Sequence, residues 1–199
     1  YREKWYTSSW LLDRRQCGEK LALERFRNYA KQPVKFNFPG FSGSFEKYNI
    51  NPDRRERSGI KAAIIREKGV NGDREMAYAM YLAGMDVKDV HMTDLITGRE
   101  TLEDLNMIVF VGGFSNSDVL GSAKGWAGAF KYNQKAGLAL ENFYRREDTL
   151  RLGVCNGCQL MIELGLLNKD KSAGPKMKFN DSHKFESAFL TVEVSKNNS

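Results

Sequence analysis

The chemistry of this chain is expected at Cys155. It stands in Leu152-Gly153-Val154-Cys155-Asn156-Gly157-Cys158-Gln159, with a glycine two residues before the sulfur and another two residues after it. That is the form of a nucleophile elbow, G-x-S-x-G, with cysteine in place of serine. A strand that turns sharply into a helix holds its nucleophile in a strained backbone conformation and needs small neighbours for clearance. It also sets the sulfur at a helix N-terminus, where the partial positive charge of the first turn favours a thiolate. The N–H of the next residue, Asn156, is then placed to donate to an oxyanion. The expected chemistry is nucleophilic attack by a thiolate.

A second feature is Val109 to Leu120, VFVGGFSNSDVL. A Gly-Gly pair directly after an apolar run lets backbone N–H groups face a ligand. In an open α/β sheet that point lies at the carboxyl ends of the strands, where sites form. Alone, Gly112-Gly113 does no more than end a strand. Beside the elbow it supplies a second oxyanion donor.

Cys155 and Cys158 also have the C-x-x-C spacing of redox and zinc sites. Zinc would need two further ligands, and the sequence has no second cysteine pair and no histidine pair. Cys158 is expected to pack as a small buried residue on the helix. The three cysteines, one of them the distant Cys17, do not make a disulfide framework and suit a reducing, cytoplasmic setting.

These groups need a frame. Lys61–Arg66 reads as a buried strand, 71–84 as a helix with Met76, Ala79, Met80 and Ala83 on its core face, and 86–92 as a strand. A short mixed segment covers 94–104. The run 106–111 (NMIVFV) is apolar throughout and suits a parallel strand covered on both faces. Residues 131–146 read as one helix, 150–154 as a strand and 157–164 as a helix. Trp126 and Phe130 are either core or a docking surface. Alternating strands and helices predict an α/β fold on a parallel sheet. Residues 185–194 (FESAFLTVEV) alternate as an antiparallel strand does.

Residues 1–30 read as helix. From Pro33 to Pro52 the chain reads as an extended connector, whose four phenylalanines are expected to pack on a neighbouring surface. The net charge is +6 and the sequence pI about 9.2, which favours acidic partners. Acidic residues are interleaved, however, and the longest basic cluster, Arg54-Arg55-Glu56-Arg57, reads as solvated surface. No motif for nucleic acid appears, and no apolar run is long enough for a membrane helix. Residues 1–10 do not form a signal peptide, and the first residue is Tyr rather than Met, so the chain is expected to be a piece of something longer.

Three stretches together resemble the glutaminase domain of the phosphoribosylformylglycinamidine synthase family, glutamine-dependent ligases of purine biosynthesis. They are KAAIIREKGVNGDREMAYAMYLAGMDVKDVHMTDL, VGGFSNSDVLGSAKGWA and LGVCNGCQLMIELG. WYTSSWLLDRRQC and VKFNF resemble the segment that joins the synthetase part to the glutaminase. The resemblance implies residues 1–57 as that connector and 58–199 as a class I glutamine amidotransferase domain. Its fold is flavodoxin-like, a doubly wound, mostly parallel sheet.

The resemblance further implies Cys155 as nucleophile, the N–H groups of Gly113 and Asn156 as oxyanion hole, and Gln159 as a glutamine-binding residue. Phe179 to Ser187 matches an N-x-S-x-x-F-E segment, which implies Asn180 and Ser182 near the glutamine backbone. Residues 66–71 border the site. The partners implied are glutamine and the synthetase domain of the same parent chain. No cofactor or metal is implied for this segment; ATP and magnesium go with the synthetase domain.

One departure is large. The family's triad takes His and Glu from an S-H-G-E-G type motif, and this sequence has none. Its two histidines, His91 and His183, match other parts of the family pattern. The domain is therefore expected to lack its C-terminal portion and the isolated chain to be nearly inactive. The alternative reading is a non-catalytic module that docks residues 1–55 on the synthetase.

Overall fold

Ala62 to Ile65 are apolar at every position, and β1 (Lys61–Arg66) runs through the middle of a sheet with all four buried. The structure is a computed structural model. It describes residues 1–31, 40, 42–167, 174–187, 190, 192–193 and 196. These form two compact units, Tyr1–Phe41 with Lys178–Ser199, and Ser42–Met177.

The unit Ser42–Met177 is the α/β body. β1 is followed by α2 (Asp73–Leu82), β2 (Asp86–His91), α3 (Met92–Thr97), β3 (Met107–Phe110), α4 (Lys124–Tyr132), α5 (Gln134–Arg145), β4 (Leu150–Gly153) and α6 (Asn156–Glu163). The four strands lie in the order β2-β1-β3-β4 and every pairing is parallel. That is the start of the flavodoxin-like order, with the switch point between β1 and β3.

Both faces of the inner strands β1 and β3 are covered. On one, Ala63, Ile65, Ile108 and Phe110 pack with Leu95, Trp126, Phe130, Leu140, Phe143 and Leu160. Trp126 and Phe130 are thus core, and the edges of both rings, or of Phe110, meet at right angles: Phe110 lies 5.9 Å from Trp126 and 6.0 Å from Phe130. On the other face, Ala62, Ile64, Met107, Val109 and Val111 pack with Met76, Ala77, Met80, Met85 and Val87. Met76 and Met80 are half-buried here, but Ala79 and Ala83 are exposed, so the core face of α2 is turned one residue toward Ala77. Leu150 and Leu152 pair with Met107 and Val109 and stand exposed.

Where a single helix was expected over 131–146, the chain forms α4 and α5. Asn133 takes an extended conformation between them, and its Oδ1 accepts from Ala136 N–H at 3.0 Å, capping α5. The mixed segment opens as α3. His91 Nδ1 accepts from Thr93 N–H, and Asp94 accepts from His91 N–H, a reciprocal capping box. Arg54 is not solvated: its guanidinium donates to Asp86 (3.2 Å) and to the Met85 carbonyl (2.7 Å) and covers the Tyr81 ring.

In the other unit, α1 (Arg2–Asn28) is two helical arms meeting at Gly18, whose φ of 82° and ψ of 164° interrupt the helix. The arms face one another through Trp10 with Phe26 (5.5 Å) and Tyr6 with Tyr29 (4.2 Å). Lys184 pairs with Asp13 at 2.5 Å. Of the strand expected over 185–194, residues 188, 189, 191 and 194 lie outside the described residues, and the described ones form no strand. Most of the connector phenylalanines also lie outside them; Phe45 is exposed.

Candidate active site

Three loops leave the carboxyl ends of adjacent strands in the unit Ser42–Met177. They follow β1, β3 and β4. The first two are knit into a short antiparallel ladder. Asn71 N–H donates to Gly112 O (2.9 Å), Phe114 N–H to Gly69 O (3.0 Å) and Asn116 N–H to Lys68 O (2.7 Å). This ladder spans the switch point between β1 and β3, and it fixes the loop that carries Gly112 and Gly113.

Gly113 sits at φ 104°, and a Cβ there would stand 2.5 Å from Asn71 N. The position needs glycine for both reasons. Its own N–H donates to no described residue. Gly112 matters by closeness: a Cβ on it would lie 3.1 Å from Cys155 Cβ and 3.9 Å from Cys155 Sγ. The empty side of Gly112 therefore faces the thiol.

Cys155 forms the turn between β4 and α6, with φ 53° and ψ −110°. Any residue other than glycine, cysteine included, adopts such a backbone at a strain of about 1–3 kcal/mol. Four hydrogen bonds and contacts hold it. Val154 N–H donates to Phe110 O (3.0 Å), Gly157 N–H to Val154 O (2.8 Å) and Gln159 N–H to Cys155 O (3.1 Å). A Cβ on Gly157 would run into the Phe110 carbonyl, so α6 starts in backbone contact with β3. The Cys155 thiol is exposed. Asn156 N–H, the first donor of α6, has no acceptor among the described residues.

The structure thus brings Cys155, with Asn156 and Gln159 in α6, beside the loop after β3 that carries Gly112 and Gly113. An exposed thiol near two unused backbone donors can attack an acyl carbon and hold the oxyanion that forms. Asn180 and Ser182 lie in the other unit, where Asn180 Nδ2 donates to the Lys184 carbonyl at 2.9 Å. Arg66, at the end of β1, is clamped by Asp89 at 2.6 and 2.9 Å, and that hydrogen bond pushes the guanidinium pKa further up.

Cys158 is exposed rather than buried. The buried residues of α6 are Asn156, Gly157, Leu160 and Met161, which puts residue 158 on the opposite side of the helix. Two polar residues escaped the sequence reading. Ser115 and the Asn156 side chain are each 2 % exposed, and Ser115 Oγ donates to Asn156 Oδ1 at 2.6 Å. The available signal was a serine two residues beyond Gly-Gly, in a segment that had to be buried. Among the described residues no helix is long and apolar enough to cross a membrane.

Residues 59–199 match the CobB/CobQ-like glutamine amidotransferase domain family. The chain is 40% identical over 199 residues to a probable phosphoribosylformylglycinamidine synthase of Caenorhabditis elegans, covering 98% of this chain and 15% of that protein. It is 39% identical over 215 residues to the phosphoribosylformylglycinamidine synthase of Homo sapiens, covering 97% of this chain and 15% of that one. The chain therefore spans about 15% of the length of these curated relatives. Among solved structures, it is similar to PurLQS from Thermotoga maritima, with 27% identity, a TM-score of 0.46, and 55% of this chain and 46% of that chain covered.

Proposed function

Because the chain belongs to the CobB/CobQ-like glutamine amidotransferase domain family, we propose that it is the glutaminase portion of a phosphoribosylformylglycinamidine synthase, with Cys155 as nucleophile. The observation that carries the reading is the strained Cys155 backbone between two unused N–H donors, Gly113 and Asn156.

On this reading the Cys155 thiolate attacks the side-chain carboxamide carbon of glutamine. A C–S bond forms, and the carbonyl oxygen becomes an oxyanion held by the Gly113 and Asn156 amides. The C–N bond breaks, ammonia leaves with a proton supplied by a general acid, and a glutamyl thioester remains. Water cleaves the thioester to glutamate and restores the thiol. Gln159 contacts the substrate. The ammonia passes to a synthetase domain of the same parent protein, where ATP and magnesium activate formylglycinamide ribonucleotide. The setting is cytoplasmic.

General acid–base help is worth about 10²–10⁴-fold. The isolated chain, without the family's triad His and Glu, is expected to hydrolyse glutamine at least about a hundredfold slower than the full-length enzyme. The decisive experiment is labelling with a glutamine-shaped chloroketone followed by peptide mass spectrometry. The adduct is expected on Cys155 and not on Cys158, although both thiols are exposed. Equal labelling of Cys17, Cys155 and Cys158 overturns the reading.

A further inference from the structure

Between the loop after β3 and the start of α6 runs a polar chain whose buried members, Ser115 and the Asn156 side chain, have no part in the mechanism above. Ser115 Oγ–H donates to Asn156 Oδ1 at 2.6 Å, and Ser115 N–H reaches the same oxygen at 3.4 Å. Asn156 Nδ2 then donates to Gln159 Oε1 at 2.9 Å. Ser115 and Asn156 are each 2 % exposed.

The polarity of this chain is determined at one end. Which way a carboxamide faces is ordinarily settled only by its partners. Here one partner is a backbone N–H, which can only donate. Asn156 therefore turns its oxygen to Ser115, and its nitrogen faces Gln159. Gln159 in turn must accept through Oε1. That leaves both Nε2 hydrogens of Gln159 for a ligand, and no described residue accepts from them. The same contact ties residue 115 to residue 156, each within two positions of an unused N–H, at Gly113 and at Asn156 itself.

We propose that Ser115 is a positioning residue of the glutamine site. Through Asn156 it sets the Gln159 carboxamide to meet an acceptor oxygen of bound glutamine as a donor, and it holds the two oxyanion donors at a fixed separation. This rests on the glutaminase reading above. A site that must grip the oxygen atoms of glutamine needs donors, and water alone would let Gln159 flip.

The test uses the full-length enzyme that carries this chain. Glutaminase kcat and KM are measured beside two alkylations of Cys155, one by the glutamine-shaped chloroketone and one by iodoacetamide. Ser115→Ala leaves a buried amide oxygen with one weak donor. It is expected to lower kcat/KM, and the chloroketone rate, by about tenfold or more. The iodoacetamide rate stays within about twofold, because the thiol itself is untouched. Ser115→Thr keeps the hydroxyl and restores kcat/KM to within about threefold of wild type. Asn156→Asp keeps the acceptor for Ser115 but not the donor to Gln159. It is expected to raise KM about tenfold with a much smaller change in kcat.

Should Ser115→Ala not fold, the KM-against-kcat split of Asn156→Asp decides the question. A Ser115→Ala enzyme with unchanged kcat/KM beside a selectively labelled wild type overturns the proposal alone. So does an equal loss with both reagents, which marks a general packing role. A wild-type Cys155 that shows no preference for the chloroketone overturns the glutaminase reading, and the proposal with it.

Discussion

Gly157→Ala separates a propensity argument from a packing argument, because they predict opposite signs. Gly157 is inside α6, and alanine in a helix is favoured over glycine by about 1 kcal/mol. Propensity alone predicts a more stable chain. The structure predicts the reverse. A Cβ at residue 157 strikes the Phe110 carbonyl oxygen and stands 2.5 Å from the Phe110 carbonyl carbon and 2.8 Å from its Cβ, where ordinary contact is 3.4–4 Å. Phe110 is fully buried and in β3. Its carbonyl already accepts from Val154 N–H at 3.0 Å, so it cannot retreat without parting β3 from β4. Overpacking of this kind costs about 3 kcal/mol at its upper range. A weakened hydrogen bond adds about 1 kcal/mol, and propensity returns about 1 kcal/mol. The expected net loss is about 3 kcal/mol. Urea unfolding followed through Trp126, in a Trp5→Phe, Trp10→Phe background, reads it as a midpoint lowered by about 1–2 M. A Gly157→Ala chain as stable as its parent, or more so, refutes the claim that backbone approach at the elbow selects the glycine.

Glu100 is 7% exposed and accepts from Thr101 N–H (2.9 Å) and Leu102 N–H (2.8 Å), holding Leu102 at φ 64°. Glu100→Ala is expected to cost about 3 kcal/mol and Glu100→Gln less than half of that, by the same unfolding measurement. Asn133→Ala removes the cap of α5 and is expected to cost about 1 kcal/mol. Burial pushes the Tyr144 phenol from 10.0 up to about 12, with Arg151 opposing. The folded state then holds that proton more tightly than the unfolded state. Its contribution to stability is whole below pH 10.0 and is lost as the pH rises toward about 12. Tyr144→Phe is expected to be neutral within about 1 kcal/mol at pH 8, since the hydroxyl has no partner among the described residues, and to flatten the alkaline loss of Tm.

The inner strands β1 and β3 were legible because each is a short apolar run. Ala62–Ile65 and Met107–Phe110 offer no alternation, and an inner parallel strand needs none, since both its faces are covered. The elbow was legible because its requirement is local: clearance at residues 153 and 157 around a turn. The break at Asn133 was not. Asparagine serves equally as a surface helix residue and as an N-cap, and only the packing of α4 against α5 decides between them. The side of α6 that Cys158 occupies was hidden for a similar reason, because the approach of β3 to Gly157 fixes how the helix is turned. Ser115 and Asn156 are 41 residues apart, and no spacing rule links them.

Strain marks the same place by an independent route. Among the described residues nine non-glycines have positive φ, and six of them are Cys155 or fall between Asn116 and Ala123. That loop and the elbow face each other across the Ser115–Asn156 contact. Strain of about 1–3 kcal/mol per residue persists only where surrounding contacts over-determine it. The unit Ser42–Met177 thus fixes the Cys155 thiol and two unused N–H donors. It does not bring a histidine to them. Its one histidine, His91, ends β2, and β1 and β3 lie between β2 and β4. Three strand spacings put the ends of β2 and β4 about 14 Å apart. His91 Nδ1 is moreover occupied, accepting Thr93 N–H as the cap of α3. On the proposed chemistry these facts divide the reaction. Capture of a chloroketone needs only the thiolate and the donors. Release of ammonia and hydrolysis of the thioester need a proton carrier. The isolated chain is therefore expected to be captured at Cys155 without turning glutamine over. Steady ammonia production at the rate of the full-length enzyme would show instead that another group of this chain moves the proton.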